Sequence, residues 1–153
     1  MGTYTATVAW KRGDQVFTDG KYSRGHAWRF DGGVEVRAAS SPFVVRPPLS
    51  PLDAVDPEEA FVASLSSCHM LFFLDFARRA GFRIDSYEDA AEGVLAKDAD
   101  GRLAMTLVTL RPKIAFSGEK MPTAADLDDL HHKSHEACFI ANSVKSEVRV
   151  VPA

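Results

Sequence analysis

Apolar and polar positions change rhythm several times along this chain. Over residues 3–10 they alternate, with Tyr4, Ala6, Val8 and Trp10 on one side and threonines mostly on the other. A period of two predicts a half-buried strand, and Gly13-Asp14 a turn after it. Residues 26–30 and 34–38 flank Asp31-Gly32-Gly33, which tolerates the positive φ of a tight hairpin. Residues 86–96 and 102–116 read as the arms of a second hairpin joined by Asp98-Ala99-Asp100-Gly101, and residues 146–151 alternate once more.

Between the hairpins the alternation stops. Residues 41–55 hold four of the eight prolines, which rules out a regular element over most of their length and predicts a long loop. A helix then opens with Asp56 as N-cap, Pro57 at the first helical position, and Glu58 and Glu59 where the dipole favours negative charge. Arg78, Arg79 and Gly81 close it in the complementary way. Residues 60–74 are apolar on nearly every face apart from serines and His69, so this helix is expected to be buried all round. A second helix is expected from Thr123, with Asp126 completing an acidic capping box, to about Ala137, with Leu127, Leu130, Ser134 and Cys138 facing one way. The order β-β-β-α-β-β-α-β describes an α+β fold in a single domain spanning residues 1–153, without the rhythm of a Rossmann fold.

Composition narrows the function classes. The 153 residues, 46% hydrophobic and 25% charged, suit one globular domain. Eighteen basic and 21 acidic residues are scattered, with no basic cluster, so nucleic acid is not an expected partner. The longest apolar run, around Leu71 to Leu74, meets Asp75, and no leader pattern opens the chain; the expectation is a soluble, cytoplasmic protein with no membrane partner. Two cysteines are too few for a disulfide framework.

Those cysteines are the first candidates for chemistry. Cys68 falls mid-helix on the stripe Phe61, Leu65, Cys68, Phe72, Phe76, either as a small hydrophobe in the core or as a nucleophile. Cys138 stands at the end of the second helix, where a sulfur can move, as a resolving thiol must. A thiolate in an apolar site needs a cation, for which Arg24 and Arg29 are candidates, with Glu58 or Glu59 to orient the guanidinium. The competing set is His131, His135 and Cys138 at i, i+4 and i+7, with Cys68-His69 from the other helix, which offers zinc-type ligands without a known ligand pattern. Neither GxSxG nor a glycine-rich phosphate loop occurs.

The segment from Asp56-Pro57-Glu58-Glu59 through Ser66-Ser67-Cys68-His69-Met70-Leu71 resembles the "NPEELLAAALAAC" helix of the OsmC/Ohr family, the osmotically inducible and organic hydroperoxide resistance proteins. His135-Glu136-Ala137-Cys138-Phe139-Ile140-Ala141-Asn142-Ser143 is similar to that family's second-cysteine motif. Asp56 in place of the usual Asn, and Phe139 in place of a frequent Pro, are departures from it. The resemblance implies an intertwined homodimer with two long central helices wrapped by antiparallel sheets, and active sites at the subunit interface. It further implies that Cys68 is the peroxidatic cysteine, Cys138 the resolving one, Glu58 the glutamate and Arg24 the arginine, with Arg29 in reserve. The substrate would be an organic hydroperoxide, alkyl or fatty-acid if any of Phe61, Leu65, Phe72, Phe73 and Phe76 line the pocket. The reductant would be a dithiol or lipoylated protein, and neither cofactor nor metal is implied. A non-catalytic dimeric domain binding a small apolar ligand or a metal is the alternative. If the helix starts at Pro57, Glu58 and Cys68 lie about 15 Å apart along its axis, which favours a glutamate donated by the partner subunit.

Overall fold

The structure, a computed structural model, describes residues 1–152. The chain forms two compact units, Met1–Ala60 and Phe61–Ala153. The first is built on an antiparallel meander of β1 (Ala6–Ala9), β2 (His26–Phe30) and β3 (Glu35–Ala38), in that order. The tight turn after β2 is where the glycines were expected to put it, with Gly33 N–H donating to Phe30 O at 3.0 Å. Trp10, Phe17 and Tyr22 pack ring against ring in the long β1–β2 connection, where Trp10 Nε1–H donates to Ser23 O at 2.9 Å. The proline-rich stretch is indeed without a regular element. It is fastened at its end, where Ala38 bridges Val55 and the amides of Ala39 and Val55 bond to Val55 O and Arg37 O.

α1 runs unbroken over Pro57–Arg79, and both its ends behave as their residues dictate. Glu59 N–H donates to Asp56 Oδ1 at 2.8 Å while Asp56 N–H donates to Glu59 Oε2 at 3.2 Å, a reciprocal capping box that satisfies two orphan amides. At the other end Gly81 adopts φ +81°, its N–H reaches Arg78 O, and Phe82 N–H reaches Ala77 O. That is a Schellman closure, which an L side chain at position 81 would strain.

The expectation that α1 is buried all round does not hold. Leu65, His69, Phe73 and Ala77 are sealed, one residue per turn, whereas Ala63, Ser67 and Leu71 on another stripe are exposed. α1 is long and apolar enough by composition to cross a bilayer, yet only 28% of its most apolar window is buried. Composition counts apolar residues on every face; packing covers only those that meet another element.

The second hairpin also departs from its expected form, because each arm is two strands. β4 (Arg83–Asp89) pairs with β7 (Pro112–Ser117), and β5 (Glu92–Lys97) with β6 (Leu103–Leu110), in separate antiparallel sheets. The breaks fall at Ala90-Ala91 and Arg111. Asp89 pins the bend, accepting from Arg111 N–H through Oδ1 and from Ser66 Oγ on α1 through Oδ2, both at 2.5 Å. Gly93 lets β5 pass close by α1, since a Cβ there would collide with Val62 and Met105.

α2 (Ala124–Ala137) starts at a capping box between Thr123 and Asp126 and buries Leu130, His131 and Ser134. A short 3₁₀ turn (Ala141–Ser143) follows, then β8 (Glu147–Val150), which joins β6 in parallel and so departs from the expected antiparallel sheets. Such pairing needs a crossover connection, and the passage through β7 and α2 supplies it. Two apolar clusters hold this unit: Phe73, Ala77, Phe82 and Leu130, and Leu65, Val108 and Leu110.

Candidate active site

α1 and the end of α2 bring Cys68 and Cys138 together. Both are free thiols within hydrogen-bonding reach of each other; Cys68 is half-buried and Cys138 is 1% exposed. α2 ends at Cys138, whose extended φ and ψ of -66° and 110° turn the chain out of the helix. Its Sγ accepts from Ala141 N–H at 3.4 Å. Burial, and then the hydrogen bond with Cys68, push the Cys138 thiol up to about 11, so it keeps its proton at neutral pH.

Cys68 opens onto a pocket of about 540 Å³. Ser64, Leu71, Phe72 and Asp75 extend its wall along α1, and Phe139 and Ile140 face them from the turn after Cys138. Of the five apolar residues considered as pocket walls, only Phe72 serves. Leu65 and Phe73 are core, and Phe61 and Phe76 pack against the two clusters. Asp75 is held ionised below the usual carboxylate range, first by its hydrogen bond from Arg78 and also by Arg79.

Arg24 and Glu58 belong to the first unit. Arg24 is half-buried, donates through Nη1 to Gly20 O at 2.8 Å and to Tyr22 O, and lies 3.9 Å above the Tyr22 ring. Arg29 is instead exposed and paired with Glu35 across the β2–β3 ladder at 2.6 Å. Glu58 Oε2 is buried with no hydrogen-bond partner in the structure.

The histidines form a different constellation from a metal site. His69 Nε2 and His131 Nδ1 are 3.1 Å apart, both rings buried and stacked with 11° between planes. Among the described residues no three or more His, Cys, Asp or Glu side chains gather to hold a metal ion. Burial, reinforced by His131 and His135, drops His69 to about 4. His131 is lowered too, by burial, with Asp128 and Asp89 acting against it. The i, i+4 spacing of His131 and His135 drew attention to the right helix but could not show that His131 pairs inward with His69. Phe139 as a pocket wall was also not legible, since nothing local signals where a side chain beyond a helix end will point.

Comparison with known proteins agrees with this architecture. The profile of the OsmC family, described as "OsmC-like protein", matches residues 50–152. A solved OsmC-like protein of unknown function from Vibrio cholerae is 51% identical over 100% of both chains, with a TM-score of 0.98. The chain therefore belongs to the OsmC family. Organic hydroperoxide resistance proteins from Elizabethkingia anophelis (19% identity, 99% and 94% of the two chains, TM-score 0.71) and Bacillus subtilis (18%, 99% and 98%, 0.67) share its fold. No curated protein matches it.

Proposed function

We propose that this protein is a thiol-dependent peroxidase that reduces organic hydroperoxides to alcohols. The observation that carries the reading is the pair of free thiols in mutual reach, one opening onto an apolar pocket and the other at the end of α2. In this reading the Cys68 thiolate attacks the terminal oxygen of the hydroperoxide, the O–O bond breaks, and the departing alkoxide takes a proton to leave as the alcohol. Cys68 keeps the terminal oxygen as a sulfenic acid. Cys138 then attacks the Cys68 sulfur, water departs, and the disulfide holds the oxidising equivalents of the peroxide until an external dithiol or lipoylated protein reduces it. A cytoplasmic location would keep that dithiol reduced.

Arg24 holds the thiolate and orients the peroxide in this mechanism, and Glu58 orients the guanidinium; the unpartnered Glu58 Oε2 supports a cationic partner for it. The exposed stripe of Ala63, Ser67 and Leu71 supports a homodimer in which a second copy covers α1 and Glu58 acts in trans.

Intact mass after one equivalent of cumene hydroperoxide tests the chemistry. The native chain loses two hydrogens, Cys68→Ser consumes no peroxide, and Cys138→Ser completes one turnover and gains one oxygen. Equal loss of the first turnover in both variants overturns the assignment, and an unchanged native mass supports a passive binding domain instead. Purified heterodimers of Glu58→Ala and Cys68→Ser chains test the donation in trans. About half of native activity is expected, because one site then holds both groups. An inactive heterodimer places both groups of each site on one chain.

A further inference from the structure

The two histidines on the sealed side of α1 have no task in the chemistry above. His69 and His131 are buried inside the second unit, His69 on the stripe that Leu65, Phe73 and Ala77 complete, away from the face assigned to a second copy. Burial keeps both rings neutral at neutral pH. One proton then lies between His69 Nε2 and His131 Nδ1, 3.1 Å apart. The surroundings decide which ring owns it. His69 Nδ1 is buried without a hydrogen-bond partner in the structure. Were His131 the donor, a neutral His69 would have to carry its proton on that atom, as an orphaned N–H. His69 is therefore the donor and His131 Nδ1 the acceptor.

Along the two helices this bond stands between an apolar contact and the cysteines. On one side of it Phe73 and Ala77 of α1 cluster with Leu130 of α2, and Leu127 packs against them. On the other side Cys68 directly precedes His69, and Cys138 lies about two turns beyond His131 on the same face of α2, about 10 Å along the axis. Ser134, between them, spends its hydroxyl on Leu130 O within α2 at 2.6 Å. Apolar packing is non-directional, whereas a hydrogen bond weakens steeply when its angle or length changes. The bond therefore fixes where α2 sits along α1, next to the two sulfurs. That placement matters because a disulfide closes only within narrow limits of sulfur separation and dihedral angle.

We propose that His69 and His131 are positioning residues for the Cys68–Cys138 disulfide, their hydrogen bond holding α2 against α1 where the two sulfurs can join. Neither histidine touches the reacting atoms. In the resolving step Cys138 gives up its thiol proton, the S–S bond forms, the S–O bond of the Cys68 sulfenic acid breaks, and water leaves; the pair sets how often the sulfurs meet. The inference rests on the peroxidase reading for that step, while closure of the disulfide is measurable without any peroxide. The full chain is equilibrated with reduced and oxidised glutathione, where the two chain thiols close as oxidised glutathione takes both hydrogens, and the oxidised fraction is read by intact mass after alkylation. His131→Leu removes the acceptor, and His131→Asn restores one near the place of Nδ1. The double variant His69→Leu/His131→Leu leaves no polar group buried without a partner, and keeps the test readable should His131→Leu not fold. In His131→Leu and the double variant the glutathione ratio at half-oxidation is expected to move on the order of tenfold toward oxidising conditions, with His131→Asn within about twofold of native. A loss of stability shared by the reduced and oxidised chains does not move that ratio. An equal ratio in all variants, an Asn variant shifted as far as Leu, or a double variant restored to the native ratio overturns this inference alone. A native chain that closes in glutathione but not with one equivalent of cumene hydroperoxide overturns the peroxidase reading and leaves the positioning role to those ratios. One that closes with neither overturns both.

Discussion

Cys68 and His69 are neighbours in the chain and about 100° apart around α1, and the two stripes they belong to have different fates. On one, Leu65, His69, Phe73 and Ala77 are closed off by strands and by α2, with Phe73 4.5 Å from the His131 ring. On the other, Cys68 and Phe72 look into a pocket whose far wall is the turn after Cys138. A helix can therefore carry a reactive group and a structural one in successive positions, because a single residue step exchanges one environment for another. The difference also explains why an even spread of apolar residues said little about which face packs.

Stability measurements offer the strongest way to break this comparison. Phe73→Ala opens a cavity in a fully buried site and is expected to cost about 3–5 kcal/mol in urea unfolding. Cys68→Ser, at a half-buried position on the pocket, is expected to cost less than about 1 kcal/mol while removing peroxide consumption. Comparable losses in the two variants would return Cys68 to the core.

A smaller effect sharpens the same contrast through pH. The folded value of His69, about 4, lies below the ordinary 6.5, so the unfolded chain binds more protons between those values. The stability linked to His69 is complete above pH 6.5, declines as pH falls, and is gone below about 4. Its size is on the order of 3 kcal/mol, and the depressed His131 acts in the same sense. His69→Gln keeps a hydrogen-bonding group without the titration and should flatten the decline in unfolding free energy between pH 7 and 4. An equal decline in variant and native chains would remove His69 as its source.

Much of the fold was legible where signals are local. The capping boxes at Asp56-Glu59 and Thr123-Asp126, the turn glycines at 33, 81 and 101, and the proline-rich loop all fell where residues within four positions of each other dictate. The hairpin arms were legible as alternation but not as four strands, since period-two patterning is unchanged when a strand changes sheets; only Asp89, reaching both Arg111 and Ser66, makes the bend visible. Of the candidate site, the two cysteines came from their motifs, whereas Phe139 and the His69–His131 pair depended on partners distant in sequence.

By itself the sequence determined where the helices begin and end, which turns are possible, and that two cysteines stand at a helix middle and a helix end. Each follows from backbone conformation and hydrogen bonds closed within a few residues, whose energetics need no distant partner. Tertiary structure alone decided which stripe of α1 is core, that His69 meets His131 instead of joining a ligand set, and that Phe139 lies across the pocket from Phe72. Those outcomes depend on which surface lies opposite each side chain, and burial is a property of two surfaces, never of one segment.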